Sequence, residues 1–346
     1  MTGIATAKTI DIHAHAVLEE TFGTAGRFGP ELSEDAQGRP VFRVGDYKLL
    51  NVRYRGSPFM DPEVRLQRMA AAGIDFQVLS PNPLTYFHYI PAAEASAFCR
   101  RHNDVLAQIV RRYPNQFGGF AALPMQDPRA ACDELKRAVH ELGMWGGYIG
   151  TDGPWTLDAA DFDPFYATCV ALDVPLFIHP APVGIDGPSG DPNLKRFDLD
   201  LVVGFAAQET IAIATLIFGG VLERHPTLDI CISHGGGALG MLVGRLADGG
   251  RKRPWAPAWT KGEGAFEAQL KRLWYDAHLN DKRALDFLTN FDDNLYNNQI
   301  RASFYFSFVT MCLLATGLAF QMPIFILALV RIGVFSSATL RKNRRI

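Results

Sequence analysis

The sequence has almost no net charge: 34 lysines and arginines face 36 aspartates and glutamates, a formal −2. A chain that binds nucleic-acid backbones by electrostatics needs a clear basic excess, so that class is set aside. There is no CxxC pair. The five cysteines, Cys99, Cys132, Cys169, Cys231 and Cys312, are scattered and odd in number, which argues against a disulfide framework or a zinc ribbon and predicts buried free thiols in a reducing compartment. Residues 1–8 lack the basic-then-apolar pattern of a secretory signal, so the N-terminal part is expected in the cytoplasm. Acidic residues are missing from 294–346, which carries six basic side chains and leaves 1–293 with 28 basic and 36 acidic residues, a formal −8. A split of this kind predicts two segments with different surroundings.

What is present in the larger segment is a regular alternation. Short apolar runs at 9–13, 75–80, 117–123, 146–150, 174–179, 228–233 and 272–276 read as strands. Between them, 62–72, 92–112, 128–142, 164–172 and 204–224 carry helical patterns. Strand–helix alternation predicts parallel strands with crossover helices, hence an α/β fold. Seven such units can be counted, and an eighth would close a barrel. Polar stretches rich in glycine and proline at 20–60, 181–198 and 247–266 read as long loops that cover or line a site.

The histidines carry the chemistry. DIHAH (11–15) ends the first strand, and side chains two apart on a strand share a face, so His13 and His15 converge. The apolar run PLFIHP (175–180) ends in His179, and LDICISHGGG (228–237) places His234 just past the next strand. Three strand ends thus bring four imidazoles to one rim, where a divalent metal could be held. His88, His102, His140, His225 and His278 lie elsewhere and read as packing or surface residues.

The chain resembles the amidohydrolase superfamily, in the branch of aminocarboxymuconate-semialdehyde decarboxylase. The resemblance covers about residues 8–292. Its segments include DIHAH, DPEVRLQRMAAAGIDFQVLSPNP (61–83), PNQFGGFAALPMQDP (114–128), ELGMWGGYIGT (141–151), PLFIHP, GFAAQETIAIATLIFGGVLERHPTLDICISHGGG (204–237) and LWYDAHLND (273–281). It implies a TIM-like (β/α)8 barrel. It also implies His13, His15 and His179 as ligands of zinc or another divalent metal, and His234 as the catalytic histidine. Arg55 would grip a substrate carboxylate. Arg245 and Arg253 fall where relatives use arginines across a homodimer interface, or are solvated surface residues. The implied reaction is decarboxylation or hydrolysis of a small unsaturated or aromatic carboxylate.

One expected motif is missing. The family's eighth strand reads roughly G-[ST]-D, its aspartate completing the metal shell, whereas this chain reads DDNLYNNQ at 292–299. Asp276, at the end of strand seven, is then either a substitute ligand or a residue supporting the site from behind. Residues 302–330 hold 29 residues without a charge, interrupted by Pro323 and followed by RKNRR (341–345). Such a run reads as a membrane span with a cytoplasmic flank, or as a buried closing helix. Residues 302–345 resemble one transmembrane segment of the twin-arginine translocase C subunit. The expected organisation is a barrel over 1–292 lacking its eighth strand, a junction at 293–301, and a transmembrane-like tail over 302–346. Two unrelated resemblances in one chain have the form of a gene fusion, a truncation or an assembly artefact, and the alternative function is a non-catalytic or membrane-anchored hybrid.

Overall fold

The computed structural model describes residues 7–151, 153, 155–182 and 191–277. The chain opens with β1 (Ile10–Ala16), makes an excursion of β2 (Glu31–Glu34), β3 (Pro40–Val44) and β4 (Tyr47–Leu50), and enters α1 (Pro62–Ala72). It continues through β5 (Phe76–Pro81), α2 (Ala92–Arg112), β6 (Phe117–Gly119), β7 (Ala121–Ala122), α3 (Pro128–His140), β8 (Gly147–Gly150), α4 (Asp163–Leu172) and β9 (Leu176–His179). Then come α5 (Leu199–Val202), α6 (Gly204–Phe218), α7 (Val221–Arg224), β10 (Ile230–Ile232), α8 (Leu239–Lys252), α9 (Ala265–Leu270) and β11 (Trp274–Tyr275).

Two parallel sheets, β1–β5–β6 and β7–β8–β9–β10–β11, follow chain order. They meet at Phe120, whose N–H donates to the Leu79 carbonyl at 2.9 Å. Every residue of β5, β8, β9 and β10 is buried, as expected of parallel strands packed on both faces. Among the described residues β1 and β11 are the two ends of this array. They approach closely, since His13 on β1 hydrogen-bonds Asp276, just past β11, at 2.6 Å. The position where an eighth strand would fall, the junction at 293–301 and the tail over 302–346 lie outside the described residues.

Two helix starts follow from Asp-Pro pairs. Asp61 accepts from the N–H groups of Glu63 and Val64 at the head of α1, and Asp127 does the same for Arg129 and Ala130 at the head of α3. A proline at the first helical position gives up no needed donor, and such a cap contributes about 1 kcal/mol. The third such pair, Asp163-Pro164, is used differently: Asp163 instead pairs with Arg224 and His225.

The structure departs from the expected elements in three places. The stretch 20–60 is not all loop, because β2, β3 and β4 form an antiparallel sheet with Phe42 and Val44 fully buried. Its strands are short and rich in charge, which hid their alternation. The helix expected over 204–224 breaks at Gly219 and Gly220, the latter at φ +73. Part of 247–266 is helical, since α8 runs to Lys252 and α9 begins at Ala265. Cys99, Cys132, Cys169 and Cys231 are free and buried, and burial pushes the Cys169 thiol up to about 12. Among the described residues one helical stretch, Leu199–Phe218, is long and apolar enough to cross a membrane by length and composition.

Candidate metal centre

His13 and His15 approach through their Nε2 atoms, 3.1 Å apart. The ring of His179, at the end of β9, lies with its centroid 4.8 Å from each of the other two. One ligand atom from each of the three histidines falls within 4.8 Å of the others. Two nitrogens at about 2.1 Å from one tetrahedral cation sit about 3.4 Å apart, so the His13–His15 spacing is near that of a ligand pair.

What holds each ring is the hydrogen bond on its far side. His13 Nδ1 meets Asp276 Oδ2 at 2.6 Å. His15 Nδ1 meets the Pro81 carbonyl at 3.2 Å and Ser80 Oγ at 3.1 Å. His179 Nδ1 meets the Pro180 carbonyl at 2.6 Å. A carboxylate or carbonyl at Nδ1 fixes the hydrogen there and leaves the Nε2 lone pair for a metal. Burial first, and then the neighbouring imidazoles, lower the pKa of His15 and His179 well below the usual histidine value, which keeps both in the neutral, ligating form. The donor set therefore fits a divalent cation.

Asp276 is 4% exposed. Its second oxygen, Oδ1, accepts from the Gly235 N–H at 3.2 Å. It stands behind His13, on the Nδ1 side, and is not one of the clustered ligand atoms. Of the two roles expected for it, the geometry fits support of His13 and not direct ligation.

His234 follows β10 and lies 4.8 Å, centroid to centroid, from both His13 and His179. Its backbone is left-handed at φ +46, a strained conformation for a histidine. Behind it stands Glu209 of α6, fully buried, whose Oε1 lies 2.5 Å from His234 Nδ1 and also accepts from the Ser233 hydroxyl. A Cβ on Gly237 would fall 2.4 Å from the Ala206 carbonyl and 2.8 Å from Glu209 Oε2. Only glycine lets the turn after His234 approach α6 this closely. Glu209 was not singled out in the sequence. The available signal was that it is the one charged residue in GFAAQETIAIATLIF. Burial alone would lower the His234 pKa, but the hydrogen bond and charge of Glu209 outweigh it and raise the value.

The four imidazoles line a cavity of about 460 Å³ whose walls include Tyr47, Leu49, Tyr54, Phe59, Leu84 and Phe205. The excursion after β1 thus supplies part of the wall, as expected of the long stretch 20–60. Arg55 does not reach this cavity. It is 62% exposed in its side chain, pairs with Glu19 at 2.8 Å, and lines a separate groove under β2 and β3 with Arg53. Tyr54, the residue before it, lines both the cavity and that groove, whereas Arg55 lies in the turn closed by the Ser57 N–H on the Tyr54 carbonyl at 3.0 Å and is left exposed. The arginine that lines the cavity is Arg65 of α1, which is buried and donates to the His15 carbonyl and to Gln77. Arg245 and Arg253 line another groove, between α6 and α8, apart from the four imidazoles.

Residues 10–265 match the amidohydrolase family. The chain belongs to that family. Residues 282–346 match a second one, the Sec-independent protein translocase protein TatC. The amidohydrolase part is 31% identical over 288 residues to 2-amino-3-carboxymuconate-6-semialdehyde decarboxylase of Dictyostelium discoideum, covering 81% of this chain and 77% of that protein. It is 35% identical over 278 residues to gamma-resorcylate decarboxylase of Rhodococcus jostii, covering 75% and 76%. In structure it resembles 5-carboxyvanillate decarboxylase from Novosphingobium aromaticivorans, solved with manganese and 3-methoxy-4-hydroxy-5-nitrobenzoic acid. That match has a TM-score of 0.60 and 28% identity over 68% of this chain and 69% of the other. These relatives establish an amidohydrolase-type α/β fold and a kinship with decarboxylases, one of which holds a divalent metal.

Proposed function

We propose that this amidohydrolase is a metal-dependent decarboxylase of a small aromatic or unsaturated carboxylate. The observation that carries the reading is the convergence of His13, His15 and His179 at a cavity walled by aromatic side chains, with His234 beside them. His13, His15 and His179 would hold the cation. When bound, it supplies Lewis-acid charge that anchors and polarises substrate oxygens. An all-imidazole set suits zinc better than manganese, which prefers oxygen donors.

The chain's own residues then divide the work. The walls formed by Tyr54, Phe59 and Phe205 exclude water and take the flat face of an unsaturated substrate. His234, when it carries a second proton on Nε2, on the cavity side, delivers that proton to the substrate carbon that bears the carboxylate. The bond from that carbon to the carboxylate breaks next, its electron pair restores the conjugated system, and carbon dioxide leaves. Solvent returns a proton to His234. Hydrolysis would use the same histidine as a base, but the relatives favour decarboxylation. In a homodimer, Arg245 and Arg253 of the α6–α8 groove would lie at the interface, which a molar mass measured in solution checks directly.

The test is carbon dioxide release by the full-length, metal-loaded chain on a panel that includes 2,6-dihydroxybenzoate, 5-carboxyvanillate and 2-amino-3-carboxymuconate semialdehyde. Turnover of one member, lost in His234→Asn and in His13→Ala, is the expected result. Metal bound at full stoichiometry with no turnover of any member would favour the second reading, a non-catalytic or membrane-anchored hybrid. That reading draws on the TatC match over 282–346 and on DDNLYNNQ (292–299) standing where the eighth-strand G-[ST]-D motif is expected.

A further inference from the structure

We propose that Glu209 is the positioning residue for His234: it holds the imidazole hydrogen on Nδ1 and thereby turns Nε2 toward the cavity. The inference rests on His234 being the proton-moving group of the reading above, but the geometry behind it is independent of any substrate. Glu209 is fully buried, so it touches no substrate and can act only through its neighbours.

Three features converge on this role. The first is the choice of oxygen. Oε1 receives the Ser233 hydroxyl and faces His234 Nδ1, while Oε2 has no hydrogen-bond partner among the described residues. With Glu209 ionised, an oxygen that accepts the Ser233 hydrogen can only accept again, which places a hydrogen on Nδ1. The second is cost. A carboxylate in an otherwise uncharged, apolar helix is expensive to bury unless it meets a donor. Serine alone is a weak reason to keep it there, whereas an imidazole N–H gives a charge-assisted bond. The third is the backbone. His234 is held at φ +46, and Gly237 packs so closely on α6 that a side chain there would strike Glu209 Oε2. The turn is shaped around this carboxylate.

The alternative arrangement is a neutral Glu209 that donates to a bare Nδ1, leaving the hydrogen on Nε2. Burial does raise the Glu209 pKa, so the two arrangements must be separated by measurement. Long-range proton–nitrogen spectra of the full-length, zinc-loaded chain with labelled histidine report the tautomer, with His234→Asn used for assignment. The expected result is His234 with hydrogen on Nδ1. In Glu209→Ala that hydrogen shifts to Nε2 or exchanges between the two nitrogens. Turnover then falls by about 10- to 100-fold at unchanged metal content. Glu209→Gln keeps an acceptor oxygen for Nδ1–H and retains the tautomer, and Ser233→Ala leaves it untouched.

A bare Nδ1 in the unaltered chain overturns the proposal, as does a Glu209→Ala spectrum unchanged at His234. If the alanine variant does not fold, the unaltered chain and Glu209→Gln decide: Nδ1–H in both supports the proposal, and its loss from either overturns it. The tautomer is read without substrate, so a chain that decarboxylates nothing would sink the functional reading and still leave this one decided.

Discussion

Asp276→Asn is the substitution whose outcome the geometry fixes most tightly. The carboxylate serves two donors at once, His13 Nδ1 through Oδ2 at 2.6 Å and the Gly235 N–H through Oδ1 at 3.2 Å. An asparagine has one oxygen and one NH2 group, so it can satisfy only one of these. If its oxygen stays with Gly235, its NH2 faces Nδ1 and forces the His13 hydrogen onto Nε2, where it blocks the lone pair needed for the metal. If its oxygen turns to His13, two donors meet at Gly235. Both partners of the pair are buried, at 9% and 3% side-chain exposure, so water cannot readily relieve the conflict. Removing such a supporting carboxylate weakens metal affinity about 10- to 100-fold, which is about 1.4–2.7 kcal/mol. Competition between the chain and a chelator for zinc measures this directly, with circular dichroism confirming that the variant is folded. Affinity within about twofold of the unaltered chain would refute the role given to Asp276 and the tautomer argument for His13.

Other expectations follow from single features. His102 is 2% exposed, neither ring nitrogen has a hydrogen-bond partner among the described residues, and burial lowers its pKa to about 4. The unfolded chain therefore takes up a proton at pH values where the folded chain does not. Stability from this group is intact above the ordinary value of 6.5 and declines as pH falls toward about 4, by about 3 kcal/mol in all. Urea melts across that range should show the decline, and His102→Leu should flatten it; an equal slope in both would refute the assignment. Gly237→Ala would force φ +66 on a residue with a Cβ and press it against the Ala206 carbonyl, for a loss of about 2 kcal/mol or more, read from thermal melts. Arg55→Ala removes an exposed ion pair with Glu19. It should leave KM within about twofold, whereas a tenfold rise would return Arg55 to the site.

The parts of the site visible in the sequence were those set by local periodicity. HxH at 13–15 places two imidazoles on one face because a strand repeats every two residues, and both turned inward despite a register shift between Asp11 and Ala14. His179 and His234 were legible because each ends an apolar run, and parallel strands bring such ends to one rim. Glu209 was not, since its partner lies 25 residues further on and meets it only when α6 packs against the turn after β10. Asp276 was legible as a candidate, but choosing between ligand and support needed the position of the His13 ring. Arg55 shows the reverse failure. An arginine near a site by sequence says nothing of its direction, and the turn that begins at Tyr54 leaves Arg55 exposed beside Glu19. The short strands β2, β3 and β4 were obscured by glycine, proline and charge, although their inner residues Phe42 and Val44 are part of the core.

The central claim is that three histidines of this chain hold a divalent metal although no G-[ST]-D motif stands at the eighth-strand position. Elemental analysis of the purified full-length chain, beside His179→Ala, tests it most directly. The account predicts about one zinc-class ion per chain, lost in the variant. No bound metal in the unaltered chain, after incubation with zinc or manganese, would contradict it.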